Sequence, residues 1–261
     1  MLAWTGLVFV FLFLPIAVVV IYSFNGGRNL YVWTEFSTRW YATALDNPRV
    51  LSALGVSVKA ALINAAIAVG LGVPSGIALA RRKGPWVVWF LALLLVVLGT
   101  PELVSGIGQM IWFDRIGLYD GLLRLSIGHS LFNIAVVALI VRARAEGLNE
   151  ALEEAAADLG ASPWRGFYDI TLPLMFPAVL ASLLLSFTFS FDDVIISLFV
   201  QRPGTSTLPL HILSSFKPGL KGDVAAVVVI TLAVSLAGIM TAALLLMRGQ
   251  RRGRALGGLL E

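Results

Sequence analysis

Asn149 to Pro173 reads N-E-A-L-E-E-A-A-A-D-L-G-A-S-P-W-R-G-F-Y-D-I-T-L-P, a polar island between two hydrophobic segments. Its carboxylates and arginine would lose their hydration in hydrocarbon, so the stretch belongs outside a bilayer. Local chemistry predicts two short helices joined by a tight turn. Asn149 caps the first, Glu150, Glu153 and Glu154 sit near the positive end of its dipole, and the alanine run propagates it. Gly160 supplies a left-handed stop, and Ser162-Pro163 restarts at once, a serine cap with proline at the first helical position, giving a second helix to about Asp169. Leu148, Leu152, Ala155, Ala156 and Leu159 fall on one face, while Glu150, Glu154 and Asp158 recur every fourth residue on another. One face packs and the other meets a partner.

The composition agrees with a membrane setting. The 261 residues are 58% hydrophobic and 13% charged, with a mean hydropathy of +0.89, more apolar surface than a soluble domain buries. A net charge of +4 and a pI near 9.7 would suggest nucleic acid in a soluble protein. Here they fit arginines at helix ends beside anionic lipid, so no nucleic-acid partner is expected. Cysteine is absent, and His129 and His211 stand far apart in sequence, so neither thiolate metal sites nor a histidine cluster is indicated.

The chain divides into six expected spans. Leu2 to Phe24 is the first and ends in the turn cluster Ser23 to Gly27; residues 25 to 50 form an aromatic interfacial segment. Leu51 to Ala80 is the second, its inner half small and kinked at Pro74. Trp86 to Phe113 is the third, interrupted at Gly99-Thr100-Pro101-Glu102, and a helix broken at that depth must line protein or water. Ser126 to Val141 is the fourth, Leu172 to Val200 the fifth and Asp223 to Met247 the sixth. The fold class is therefore all-α and polytopic, a single transmembrane domain over 1–261 with a platform at about 145–172 between the fourth and fifth spans. No internal repeat or long linker divides it.

Orientation follows the basic residues of the loops. Arg81, Arg82, Lys83, Arg142, Arg144, Arg165, Arg248, Arg251, Arg252 and Arg254 fall on one side and crowd against helix ends. Arg28, Arg39, Arg49, Arg115, Arg124, Arg202, Lys217 and Lys221 fall on the other, several in mid-loop. Both termini and the platform are expected in the cytoplasm.

No P-loop, HExxH or nucleophile elbow occurs. If the protein uses ATP, another chain hydrolyses it. A membrane enzyme or a cofactor-bearing respiratory subunit would need paired histidines, a metal cluster or a catalytic constellation, and the sequence offers none. Enzymatic function, cofactor and metal are all unexpected.

Glu154-Ala155-Ala156, then Gly160, then Ile170 and Leu172-Pro173, at these intervals, resembles the cytoplasmic EAA loop of ABC importer permeases of the binding-protein-dependent (MetI-like) superfamily. Ser23-Phe24-Asn25, Phe36 with Trp40-Tyr41, Pro101-Glu102, Phe191-Asp192-Asp193-Val194 and Thr207-Leu208-Pro209 look like the landmarks of PotC-type permeases of spermidine/putrescine importers, over nearly the whole chain. Gly222-Asp223-Val224-Ala225-Ala226 departs from those relatives, which usually carry a proline, an acidic residue and an Asn-Ala pair there. The substrate therefore stays open between a polyamine and another small solute such as ferric iron or thiamine. The resemblance implies a permease subunit of the bacterial inner membrane that imports its solute by alternating access. Its implied partners are two copies of an ATP-binding subunit, a second permease, related but different, and an extracytoplasmic binding protein. Glu154, Ala155, Ala156, Gly160, Leu172 and Pro173 are the implied ATPase-coupling residues.

Lys59, Glu102, Asp192 and Asp193 fall inside expected spans, where a charge costs at least ~2.5–3.5 kcal/mol at mid-bilayer. They should face a cavity or a partner, and three carboxylates against one ammonium leave a net negative pathway that suits a polyamine. The candidates are Asp192, Asp193 and Glu102, with Phe187 and Phe191 as an i, i+4 pair that either stacks on a cation or simply packs. Adjacent helical residues point about 100° apart, so one aspartate of the two faces the pathway fully. Lys59 alternatively pairs with one acid. His129 and Asn133 read as a pair for helix-to-helix hydrogen bonding.

Overall fold

The computed structural model describes residues 2–27, 32–215 and 222–257, with side chains of the first and last helices described from Trp4 and up to Thr241. Arg28, Lys217, Lys221 and the side chains of Arg248, Arg251, Arg252 and Arg254, all used for orientation, lie outside the described residues. Regular structure among the described residues is helical: α1 (Leu2–Tyr22), α2 (Arg39–Leu45), α3 (Pro48–Arg81), α4 (Pro85–Gly99), α5 (Glu102–Arg115) and α6 (Gly121–Glu146). Then follow α7 (Ala151–Asp158), α8 (Pro163–Gly166), a π turn (Phe167–Thr171), α9 (Leu172–Phe191), α10 (Ile195–Val200), α11 (Leu208–Ser215) and α12 (Gly222–Gly257). Among the described residues five helical stretches are each long and apolar enough to cross a bilayer, and α4 with α5 makes a sixth if the two arms form one broken span.

The chain falls into two compact units, Met1–Val58 with Pro203–Ala237, and Lys59–Arg202 with Gly238–Glu261. In the first, the described part of α1 is apolar all round and exposes nearly all of it, the pattern of a helix whose surroundings are hydrocarbon or another chain. The turn that follows is tied around the fully buried Asn25. Its Nδ2 donates to the Val32 carbonyl at 2.8 Å, and its Oδ1 accepts from the Thr34 N–H at 2.9 Å and the Gly27 N–H at 3.1 Å. Trp40 Nε1 donates to the Asn25 carbonyl at 3.0 Å, Phe24 stacks on Phe36 with centroids 5.4 Å apart, and Tyr41 lies 5.1 Å from Phe24. The landmarks read separately along the sequence are thus one knot, in which buried polar groups of an irregular backbone find partners. Thr207-Leu208-Pro209 is anchored similarly: the buried Leu208 donates its N–H to Ser57 Oγ at 2.8 Å.

The second unit is built on α6, which has more of its span enclosed than any other candidate span, 61% against 44% for α3. Ala68 and Val73 of α3, Val137, Val141 and Ala145 of α6 and Met175 of α9 form one buried cluster. Glycines set the α3–α6 approach: a Cβ at Gly72 would stand 2.7 Å from Val137, and one at Gly76 would stand 2.5 Å from the Ala138 carbonyl oxygen. α4 packs Val87 and Leu94 against Ala135 and Ala138 on the other side of α6. α5 lies on α10, with Gly106 directly beneath the Phe199 ring.

Two departures from the sequence reading concern the fifth span. The helix from Leu172 ends at Phe191, not at Val200, and α10 begins after the irregular Asp192–Val194. The cause is partly local and partly tertiary: Asp193 accepts the N–H of Ser197, four residues on, which caps α10, and its carboxylate also meets His129 of α6. The second platform helix is also not a separate element. It runs through the π turn into α9, so that Pro163–Phe191 is one helical stretch of 29 residues. Pro74, expected to kink the second span, lies inside the unbroken α3. The interruption of the third span falls where expected, with α4 and α5 bent by 103°.

Candidate functional site

Both chain breaks of the second unit open on one cavity of about 560 Å³. Thr100, Glu102, Ser105 and Gln109 line it from the first break and α5, and Thr188, Phe189, Asp192 and Asp193 from α9 and the second break. His129, Phe132 and Asn133 of α6 close it. Irregular backbone at membrane depth is tolerated where it borders a cavity of this kind. No lysine or arginine among the described residues lines it. The wall instead carries the carboxylates of Glu102, Asp192 and Asp193, and behind it the amide oxygens Gln109 Oε1 and Asn133 Oδ1 are enclosed without a hydrogen-bond partner among the described residues.

The candidates sit differently around this space. Glu102 is the exposed first residue of α5, where the helix dipole favours an anion. Asp192 is exposed, whereas Asp193 keeps 13% of its side chain accessible and is held by His129 Nε2 at 3.2 Å and the Ser197 N–H at 2.8 Å. Phe187 and Phe191 stack on one another, 5.8 Å apart, and Phe191 is fully buried. They lie off the cavity wall, which takes Phe132 and Phe189, 6.1 Å apart, because Phe189 projects from the opposite side of α9. Lys59 is exposed on α3, and no ion pair to it is found among the described residues. Asn133 and Asn64 join three helices, Asn133 Nδ2 donating to Asn64 Oδ1 at 3.2 Å and Asn64 Nδ2 to the Ser186 carbonyl at 2.8 Å.

The platform is the second feature. Asn149 Oδ1 accepts the Ala151 N–H at 3.1 Å at the start of α7. At its end Gly160 has φ +85°, its N–H bonds the Ala157 carbonyl, and the Ala161 N–H bonds the Ala156 carbonyl, each at 2.9 Å. These are the paired bonds of a Schellman stop. Ser162 Oγ then accepts the Arg165 N–H at 3.4 Å. Glu154, Ala155, Gly160 and Pro173 are exposed, and Ala156 and Leu172 are half-buried. Of the apolar face, Leu148 packs on the α3–α6 core, while Leu152 stays open and Leu159 is 90% exposed. Trp164, 72% exposed, stacks on Tyr168 beside them. Arg81 braces the platform: Nη1 contacts Glu150 at 2.8 Å and Nη2 contacts Glu153 at 2.9 Å, while Glu153 also accepts the Thr171 hydroxyl at 2.8 Å.

Sequence reasoning passed over Arg81, His129 and Gln109 as site residues. Arg81 reads as a span-ending charge, and nothing along the chain pairs it with Glu153. Gln109 carried a usable signal, as an uncharged polar residue inside an apolar helix with helical spacing to Glu102 and Ser105.

A sequence model of the family described as binding-protein-dependent transport system inner membrane component matches residues 72–253. The putrescine transport system permease protein PotI of Escherichia coli (strain K12) is 34% identical over 243 residues, which covers 89% of this chain and 85% of that protein. The spermidine/putrescine transport system permease protein PotC of the same organism is 34% identical over 246 residues, covering 94% and 93%. Among solved structures, a chain of a bacterial ABC transporter involved in the import of the acidic polysaccharide alginate superposes with a TM-score of 0.71 at 15% identity, covering 94% of this chain and 93% of that one. A chain of the MetNI methionine ABC transporter in inward-facing conformations gives 0.64 at 13% identity, covering 76% and 95%. The structural likenesses establish a shared fold, and the family match together with the two relatives establishes kinship: the chain is a multi-pass membrane protein that belongs to the family of binding-protein-dependent transport system inner membrane components.

Proposed function

We propose that this chain is the permease subunit of an ATP-driven importer and that its cavity passes a polyamine of the putrescine and spermidine class. The observation that carries the substrate is the acceptor-rich wall without a cation. An ammonium group is donor-only, so every hydrogen it brings needs an acceptor, and the carboxylates of Glu102, Asp192 and Asp193 supply them. Carboxylates offset the hydration that a polycation loses there, and Phe132 and Phe189 flank the space for its methylenes and charges. The relatives named for putrescine and spermidine/putrescine support the same reading.

The platform is the coupling element. α7 with its exposed Leu152, Leu159 just past its end and Trp164 of α8 docks in a cleft of an ATP-binding subunit, with Glu154, Ala155, Ala156, Gly160, Leu172 and Pro173 forming or setting the contact. Two such subunits close on ATP and turn the cavity outward, where an extracytoplasmic binding protein delivers the substrate. With at most six spans among the described residues, a second permease completes the passage, and the resemblance to importers of this kind makes it a related but different chain. The platform and both termini lie in the cytoplasm of a bacterial cell, and the whole chain works as one permease domain.

The test is transport by the complete complex in proteoliposomes. ATP-dependent accumulation of labelled putrescine and spermidine, unaffected by excess thiamine or ferric chelate, is the expected result. Accumulation of either competitor with no polyamine uptake overturns the substrate reading.

A further inference from the structure

We propose that His129 is a positioning residue that sets polyamine affinity through Asp193, an inference that rests on the cavity reading above. His129 lies on α6 at 4% exposure, and each ring nitrogen has a partner: Nδ1 is 2.7 Å from Ser190 Oγ, and Nε2 is 3.0 Å from Ser197 Oγ and 3.2 Å from Asp193 Oδ1. An ionised carboxylate only accepts, so the nitrogen that faces it carries the hydrogen. Nε2–H then donates toward Asp193 and the neighbouring Ser197 Oγ, and Nδ1 pairs with the Ser190 hydroxyl. The ring is pinned at both ends and cannot turn without breaking both bonds.

Asp193 needs such a clamp. It sits in the irregular stretch between α9 and α10, where no helical backbone restricts its rotamer. Its Oδ1 takes the His129 N–H from α6 and the Ser197 N–H from α10, so two elements fix one carboxylate. The residue type matters as much as the geometry. A long flexible lysine would reach the carboxylate without fixing its direction, whereas an imidazole held between Ser190 and Ser197 is rigid and presents Nε2 to Asp193 along one line. The other charged groups on this wall, Asp192 and Glu102, are acids, so the clamped Asp193 is a fixed point in a wholly anionic set.

The experiment is a mutant cycle on the complete complex, with putrescine uptake measured over a concentration series and assembly checked by pull-down of the ATP-binding subunit. His129→Leu is expected to raise KM about tenfold, as loss of a hydrogen bond to a charged group does, with a smaller effect on the maximal rate. His129→Gln, whose amide N–H reaches toward the Nε2 position, should recover most of the loss. In the Asp193→Asn background His129→Leu should add nothing. Ser190→Ala, a minimal change that releases the ring at Nδ1, carries the same cycle if His129→Leu does not assemble. Equal, additive effects of His129→Leu or Ser190→Ala with and without the Asp193 charge overturn the positioning role. An unchanged KM in Asp193→Asn alone overturns instead the cavity reading on which it rests.

Discussion

Arg81, the last residue of α3, holds Glu153 of α7 through an Nη2–Oε1 contact of 2.9 Å. The link joins the platform to the helix whose Gly72, Gly76 and Asn64 pack on α6 and α9, and the Thr171 hydroxyl ties the same Glu153 to the start of α9.

Arg81 is mostly covered, with 17% of its side chain exposed, whereas Glu153 and Glu150 keep 37% and 64%. Partly exposed pairs contribute roughly 0.2–1 kcal/mol each, so Arg81→Gln should loosen α7 by about 1 kcal/mol without unfolding the protein. Hydrogen exchange of the amides in 151–158 should quicken by about fivefold, a factor equivalent to that free energy. In the assembled transporter the same substitution should lower transport more than ATP hydrolysis. Unaltered exchange would show that α7 does not depend on Arg81.

Gly160 tests the turn itself. A Cβ there meets nothing within 4 Å, so any cost of Gly160→Ala is conformational and comes from φ +85°. An L residue in the left-handed region loses roughly 1–2 kcal/mol, less for asparagine. Gly160→Ala should therefore reduce the ratio of transport to ATP hydrolysis while membrane insertion stays intact, Gly160→Asn should reduce it less, and Gly160→Pro should abolish it. Equal ratios in all three would mean that the turn's shape does not matter for coupling.

Two glycines of α3 make an internal control for helix packing. Gly76→Ala places a carbon 2.5 Å from the Ala138 carbonyl and should cost about 1–3 kcal/mol, whereas Gly70→Ala meets nothing within 4 Å and should be neutral or stabilising. Thermal unfolding of the purified protein in one detergent checks the pair. A lower transition in Gly70→Ala than in Gly76→Ala would contradict the described α3–α6 approach.

What the sequence discloses is what local chemistry decides. The left-handed stop at Gly160, the Ser162 cap and the break at Gly99–Pro101 are legible because glycine, serine and proline act on their own backbone. The break at Asp192–Val194 is only half legible: an aspartate can cap the N–H of Ser197 four residues on, but Phe191-Asp192-Asp193-Val194 holds no glycine or proline, and the second tie, to His129 of α6, exists only in the fold. Arg81 and Glu153 are 72 residues apart, so their contact exists only once α3 and α7 are placed. Helical periodicity correctly pairs Phe187 with Phe191, yet it cannot say which side of α9 meets the cavity, and that side carries Phe189.

The proposed function requires that the carboxylates of this cavity carry a polycation across the membrane. Its most direct test is labelled spermidine uptake by the reconstituted complex containing Asp192→Asn with Asp193→Asn, a change that keeps side-chain volume and removes two charges. Each lost charge contact is equivalent to about 1.5–3 kcal/mol, so uptake should fall at least tenfold while the ATP-binding subunit is still pulled down. Spermidine uptake at the wild-type rate in that double variant would contradict the account.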